Sequence, residues 1–119
     1  MKNDLAERLF NFAVRNILFL GNLPGEPEYN NIRYQLSKSC TSPGANYEEA
    51  QAGSSKADFI YKTEISLKEM RESSYWLRII DATISFEGEL KEELRYLQDE
   101  SEQLKKILGR IVVNSKANI

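Results

Sequence analysis

The side chains that most often perform catalysis are scarce in this protein. The sequence of 119 residues contains no histidine, which removes the commonest general base and the serine and cysteine triads that depend on it. The usual zinc sites and the di-iron sites of helical bundles also rely on histidine. The single cysteine, Cys40, lies on an apolar helical stripe, so we expect a buried thiol rather than a nucleophile. These residues predict a protein that is not an enzyme and that holds no cofactor and no metal.

Three carboxylates could still support acid–base chemistry or hold a magnesium ion, namely Glu48, Glu49 and Glu72. No further ligand pattern accompanies them, so we interpret them as solvent-exposed or hydrogen-bonded between helices. The segment 53–56, with the sequence GSSK, is similar to a phosphate-binding loop, but it lacks the earlier glycine and the preceding strand. A helix cap at Ser55 is the better interpretation of this segment.

A basic, hydroxyl-rich segment is the clearest sign of a binding surface. Arg33 and Lys38 lie between residues 29 and 47, where there is no acidic residue and where serine is frequent. Arg8 and Arg15 are seven residues apart on the preceding helix, a spacing that places them on one face and predicts that they extend this surface. Such side chains contact phosphates in RNA and DNA, so these four residues are the candidate nucleic-acid contacts. The net charge of −2 favours the alternative, a solvated or intersubunit face.

Four segments with helical periodicity carry these residues. Apolar side chains recur every three or four residues in segments 5–20, 28–52 and 55–80. The fourth segment, for which Ser85 is the expected cap, has the most regular stripe: Leu90, Leu94, Leu97, Ser101, Leu104, Leu108 and Ile111. Short turns join the segments and no strand pattern is present, so the sequence predicts one all-α domain over residues 1–119. Helices joined in this way pack as an antiparallel up-down four-helix bundle.

Pro43 interrupts the second segment. An interior proline costs a helix about 3 kcal/mol, because it removes one hydrogen bond and its ring clashes with the preceding turn. Either the helix ends at Thr41 and a new helix starts with Ser42 as its cap, or one helix continues with a kink. We expect a single helix that is kinked near Pro43, because residues 45–52 are too few to form a stable helix alone.

Apolar residues in the first and third segments cover more of each helix than the core of one bundle requires. In the first segment, Phe10, Val14, Ile17 and Leu18 widen the apolar stripe. Part of this surface is therefore expected to contact another subunit of a homo-oligomer. The longest apolar run in this segment, residues 17–20, is far shorter than the ~20 residues of a membrane span. We expect a cytoplasmic protein without membrane contact.

Three sequence motifs stand out when the segments are compared with known families. They are the small-residue stretch of the second segment with Asn46 and Glu49, the Ser-Lys-x-Asp-Phe start of the third segment with Asp58, and the Glu-x-x-Tyr-Trp-Leu run that begins at Glu72. In this combination the chain resembles the four-helix-bundle protein family, also called the 23S ribosomal RNA intervening-sequence proteins. The resemblance covers most of the chain. Pro43 lies one position before the proline of the family motif.

The resemblance implies a left-handed antiparallel bundle that assembles as a ring, typically a homopentamer. Most family members have no established biochemical activity, while a related branch of basic pentamers contacts nucleic acid and the reverse transcriptase of diversity-generating retroelements. On this basis we interpret Asn46, Glu49, Asp58 and Glu72 as buried polar residues that fix helix register. We therefore expect a non-enzymatic, oligomeric interaction module; the alternative is an RNA- or DNA-binding accessory protein.

Overall fold

Four helices follow the four periodic segments of the sequence. The computed structural model describes residues 4–53 and 55–118. The helices are α1 (Asp4–Leu20), α2 (Pro27–Gln51), α3 (Lys56–Thr83) and α4 (Gly88–Ala117), and neither described range contains a strand. The all-α prediction and its four helices are confirmed, with α3 continuing one turn beyond its expected end.

Side-chain contacts show that neighbouring helices run in opposite directions. Between α1 and α4, Arg8 pairs with Glu100 and Arg15 pairs with Glu93, so the residue number rises along one helix as it falls along the other. The helices pack in the order α1, α2, α3, α4, and α4 returns to contact α1. This closed arrangement is the predicted antiparallel four-helix bundle.

The core is formed by the apolar stripes that the residue spacing predicts. Side chains that are at most 1% exposed come from all four helices: Leu9, Phe12, Leu36, Cys40, Met70, Leu77, Ile80, Leu97, Leu104 and Leu108. Burying one such side chain stabilises the fold by roughly 1.5–3 kcal/mol. This cluster therefore supplies much of the driving force that holds the four helices together.

Buried serines lie where the helices approach one another. Ser73 of α3 donates a hydrogen bond to Ser39 of α2, with 2.9 Å between the Oγ atoms. On the other side of α3, the hydroxyls of Ser74 and Ser101 are 2.7 Å apart. Because each hydroxyl has a partner, these small polar groups can be buried without a large desolvation cost.

The second helix passes through Pro43 without a break, which confirms the prediction of one helix over the alternative of two. Pro43 is buried against α3, and its carbonyl oxygen accepts a hydrogen bond of 2.8 Å from Ser66 Oγ. The tertiary contact with α3 thus stabilises the turn in which proline removes a helical N–H.

The predicted cap of α3 is confirmed, whereas that of α4 is wrong. Ser55 Oγ accepts the backbone N–H of Asp58 at 3.1 Å, as a serine cap should. In α4 the cap position is Glu87 rather than Ser85, and its side chain makes no capping hydrogen bond. The chain enters α4 at Gly88 with φ of +59°, a conformation that glycine adopts without strain.

Candidate functional site

The carboxylates that could have supported catalysis make separate contacts on α2 and α3. Glu48 and Glu49 are exposed on α2, and Glu49 lies 3.7 Å from Lys62. Glu72 accepts a hydrogen bond of 3.2 Å from the indole Nε1 of Trp76. Within residues 4–53 and 55–118, no three histidine, cysteine, aspartate or glutamate side chains are grouped to hold a metal ion. In the same residues, no helix is long and apolar enough to cross a bilayer.

Cys40 is fully buried on α2, as its position on the apolar stripe predicts. Burial raises the pKa of its thiol to about 12, because the charged thiolate is poorly solvated there. The reactive thiolate is therefore rare at neutral pH.

Thiol labelling with a disulfide reagent should consequently be slow in the folded protein. At pH 8 we expect Cys40 to react roughly 1,000-fold more slowly than an unhindered thiol, because both its ionised fraction and its accessibility are reduced. Reaction in denaturant at the same pH should be fast and stoichiometric. Fast labelling of the native protein would contradict the buried position of the thiol.

The candidate nucleic-acid contact Arg8 lies on the side of α1 that faces α4. Its Nε and Nη2 atoms donate hydrogen bonds of 2.9 and 2.8 Å to the two carboxylate oxygens of Glu100, and Nη2 also contacts Gln103 at 3.2 Å. Glu100 is only 7% exposed. Because the guanidinium neutralises a buried carboxylate, it contributes little free positive charge to the surface.

Arg15 makes the same kind of contact two turns further along α1. It forms a two-point pair with Glu93, at 2.9 and 2.6 Å, and its guanidinium carbon lies 3.6 Å from the centre of the Tyr96 ring. This geometry combines an ion pair with a cation–π contact. Both arginines therefore join α1 to α4.

Arg33 and Lys38, the other two candidates, lie on α2 in different surroundings. The guanidinium of Arg33 donates to the carbonyl oxygens of Leu23 and Pro24, which attaches the α1–α2 loop to α2. Lys38 is exposed, with its Nζ 5.6 Å from the centre of the Tyr34 ring. Of the four candidates, Lys38 alone has a side chain that makes no hydrogen bond or ion pair with the described residues. Their role as nucleic-acid contacts stays a prediction.

The expectation that the four motif residues are buried is wrong. Asn46, Asp58 and Glu72 are half-buried, and Glu49 is exposed. Asn46 donates to Ser42 within its own helix. Charged groups keep contact with water because their desolvation is costly, so the buried polar positions are occupied mainly by small hydroxyls that bond helix carbonyls or one another.

One side of α1 exposes large apolar side chains. Phe10 is 61% exposed, Leu18 is 71% exposed, and Val14 and Ile17 lie between them at 39% and 44%. We call these four residues the α1 apolar face. Their spacing places them together, opposite the part of α1 that enters the core. The exposed residues are the ones that widen the apolar stripe of the first segment in the sequence, where more apolar side chains were predicted than one core can bury.

A groove of about 450 Å³ lies between the α1 apolar face and α2. Its α2 wall consists of Thr41, Gly44, Ala45 and Glu48. The two helices approach closely at its floor, since a Cβ added to Gly44 would lie 3.4 Å from the Cβ of Leu9. A ridge of apolar side chains therefore stands beside an apolar groove on one surface.

A second exposed surface lies on α3. Lys68, Arg71, Tyr75 and Arg78 are all exposed and are separated by three, four and three residues, so they form one line along the helix. We call these four residues the α3 basic stripe. Its cations are not among the contacts predicted from the sequence, although their spacing around a tyrosine is a signal that could have revealed them.

Comparison with known proteins agrees with this architecture. The model of the 23S rRNA-intervening sequence protein family matches residues 1–110. A crystal structure of a protein of unknown function from the S23 ribosomal protein family of Bacteroides thetaiotaomicron VPI-5482 is 34% identical in sequence. The match covers 94% of this chain and 98% of that chain, with a TM-score of 0.80. No curated protein matches the sequence.

Proposed function

This chain belongs to the 23S rRNA-intervening sequence protein family, and we propose that it is a non-enzymatic module that assembles with copies of itself through the α1 apolar face. The observation that supports this proposal is the exposure of Phe10, Val14, Ile17 and Leu18 beside the apolar groove. We place the module in the cytoplasm, where its single thiol would remain reduced.

The energy available from covering this face is substantial. Full burial of a leucine or phenylalanine side chain is worth roughly 1.5–3 kcal/mol, and Phe10 and Leu18 are the most exposed large apolar residues of α1. Contiguous apolar surface of this kind commonly marks a protein interface. In a single folded chain these side chains remain in contact with water, so their burial between two chains favours association.

A second copy is the occupant that the shape of this surface favours. The surface carries both a ridge, formed by the α1 apolar face, and an apolar groove next to it. When the ridge of one copy enters the groove of the next, the contact is heterologous, and repetition of such a contact closes a ring if the rotation permits. The family resemblance implies five subunits.

The chemistry of the side chains supports a role without turnover. The chain has no histidine, and its one thiol is buried with a pKa of about 12. Arg8 and Arg15 bind carboxylates of the same chain. We therefore propose that the protein acts by binding a partner through the surface of the bundle.

The mass of the wild-type protein in solution tests the proposal. Size-exclusion chromatography with light scattering should yield one species whose mass is a fixed multiple of 13.7 kDa, unchanged across micromolar concentrations. Brief chemical cross-linking of the same sample should produce a ladder that ends at the subunit number. A species of 13.7 kDa at all of these concentrations would refute self-assembly.

A further inference from the structure

We infer that Glu48 limits the strength of self-assembly and makes it depend on pH. When a second copy covers the groove, the carboxylate of Glu48 takes up a proton, so acid favours the assembly and alkaline solution favours separate chains. This inference rests on the proposed function, because it needs a second copy in the groove. It extends that function by naming the residue that controls the contact and the condition to which the contact responds.

Glu48 is the single charged residue that lines the groove. The α1 side of the groove consists entirely of apolar side chains, and the rest of its α2 wall is Thr41, Gly44 and Ala45. The hydroxyl of Thr41 donates a hydrogen bond of 2.7 Å to the carbonyl oxygen of Ser37, so its one donor is already in use. A second copy that covers the groove therefore places apolar side chains over one carboxylate.

No cation of the described residues neutralises this carboxylate. Within residues 4–53 and 55–118, no lysine or arginine nitrogen lies within 4.0 Å of the Glu48 carboxylate. The turns of α2 on either side of Glu48, residues 44–52, contain no lysine or arginine. The carboxylate is solvated by water in the single chain, where Glu48 is exposed.

The charged groups of α1 near this end of the groove are two acids and one arginine that is already paired. Because α1 and α2 are antiparallel and meet at the floor of the groove, the first turns of α1 lie nearest to Glu48. Asp4 and Glu7 are both exposed there. Arg8 is bound to a carboxylate of α4. The face of α1 therefore supplies no free positive charge to Glu48.

The neighbouring helix α3 offers one cation at this level, and two other carboxylates share it. The Nζ atom of Lys62 lies 3.7 Å from Glu49 and 3.5 Å from Asp58. The remaining helix, α4, does not pack against α2, so it brings no charged group to the groove. Among the described residues, Glu48 is thus the groove carboxylate that a second copy would cover without a partner.

Covering this carboxylate couples assembly to a proton. An ordinary glutamate in water is ionised above about pH 5. When Phe10 or Leu18 of the next copy displaces the water, the ionised form loses far more solvation free energy than the protonated form does. The assembly therefore binds more protons than the separate chains. By linkage, the association constant rises as the pH falls, by up to about tenfold per pH unit for each covered Glu48. The rise ends below about pH 4, where the separate chains are protonated as well.

The composition leaves few other groups that could cause such a response. The chain has no histidine, and the thiol of Cys40 is buried with a pKa of about 12. In water, the amino terminus is the other group that titrates near neutral pH. A variant that lacks only the Glu48 carboxylate therefore separates its contribution from that of the amino terminus.

The association constant as a function of pH is the first test. Sedimentation velocity on dilutions from about 0.1 to about 100 µM, at constant ionic strength, would yield this constant for the wild type. Between about pH 8 and about pH 5.5 we expect it to increase at least roughly tenfold. At about pH 8, Glu48→Gln should associate at least roughly tenfold more tightly than the wild type, because the amide carries no charge. The same variant should lose most of the pH dependence.

Two matched variants separate the charge in the groove from charge elsewhere. Glu49→Gln removes the same charge from the next residue, which is exposed and does not line the groove, and should keep the wild-type response to pH. Glu48→Asp keeps a carboxylate on the groove and should also respond to pH. Circular dichroism at each pH would verify that every variant remains a folded helical bundle.

Three results would overturn the inference and leave self-assembly intact. They are a wild-type association constant that does not change with pH, equal effects of Glu48→Gln and Glu49→Gln, and loss of the response in Glu7→Gln alone, which would place the responsible carboxylate on α1. A mass of 13.7 kDa at every pH and concentration would refute the proposed function, and this inference with it.

Discussion

Leu18→Glu should convert the assembled protein into a folded monomer of 13.7 kDa. Leu18 is 71% exposed in the isolated chain, so a glutamate there is well solvated and leaves the core of the bundle unchanged. In the assembly the same carboxylate would enter an apolar groove, and burying an unpaired charge costs several kcal/mol. A loss of this size in each interface lowers the association constant by two orders of magnitude or more.

Light scattering and circular dichroism together check this result. The mass measured by light scattering should fall to that of one chain. The circular dichroism signal should stay helical, and the variant should still unfold in a cooperative transition. Val113→Glu is the matched control, because Val113 is 64% exposed on α4 and away from the α1 apolar face. That variant should keep the wild-type mass. Equal dissociation by both variants, or by neither, would remove the α1 apolar face from the interface.

Arg8→Ala should lower the free energy of unfolding by about 2–3 kcal/mol. The substitution leaves the carboxylate of Glu100, which is 7% exposed, without the two hydrogen bonds that neutralise it. An uncompensated buried charge costs more than the ion pair contributes, so the loss exceeds that of an ordinary surface pair. Urea denaturation followed by circular dichroism would measure it.

Arg15→Ala provides the matched comparison. Arg15 makes the same two-point contact from α1 to α4, but its partner Glu93 has a side chain that is 28% exposed, whereas that of Glu100 is 9% exposed. Water can solvate Glu93 once Arg15 is removed, so we expect a cost of about 1 kcal/mol. Restoring most of the loss in the double variant Arg8→Ala/Glu100→Ala would confirm that the orphaned carboxylate is responsible. Equal losses in the free energy of unfolding for the two single variants would mean that the burial of the carboxylate does not determine the cost of removing its arginine.

The helices and most of their ends follow from local chemistry in the sequence. The leucine stripe of α4 has a spacing that only a helix can bring to one face, and Ser55 caps α3 through a hydrogen bond to a residue three positions away. Cys40 could be assigned to the core because it lies on such a stripe. The exposed apolar residues of α1 were also visible as a stripe too wide for one core.

The start of α4 shows where such local reasoning fails. Ser85 has the right residue type for a cap, but the chain turns at Gly88 with a positive φ, and Glu87 occupies the cap position. A serine predicts a cap only if the backbone around it is extended toward the helix, and the packing of the preceding loop decides that conformation.

The sequence by itself determined the helices, the bundle and the lack of histidine chemistry, because these depend on residue types and on spacings of a few positions. The tertiary structure alone decided which cationic side chains form ion pairs with carboxylates of another helix. Arg8 and Glu100 are 92 positions apart, and no spacing rule predicts that they meet. Pairing of that kind occupies Arg8 and Arg15, whereas within residues 4–53 and 55–118 Lys68, Arg71 and Arg78 have no carboxylate oxygen within 4.0 Å. The charge of a surface therefore depends on contacts between helices as well as on the order of residues within each helix.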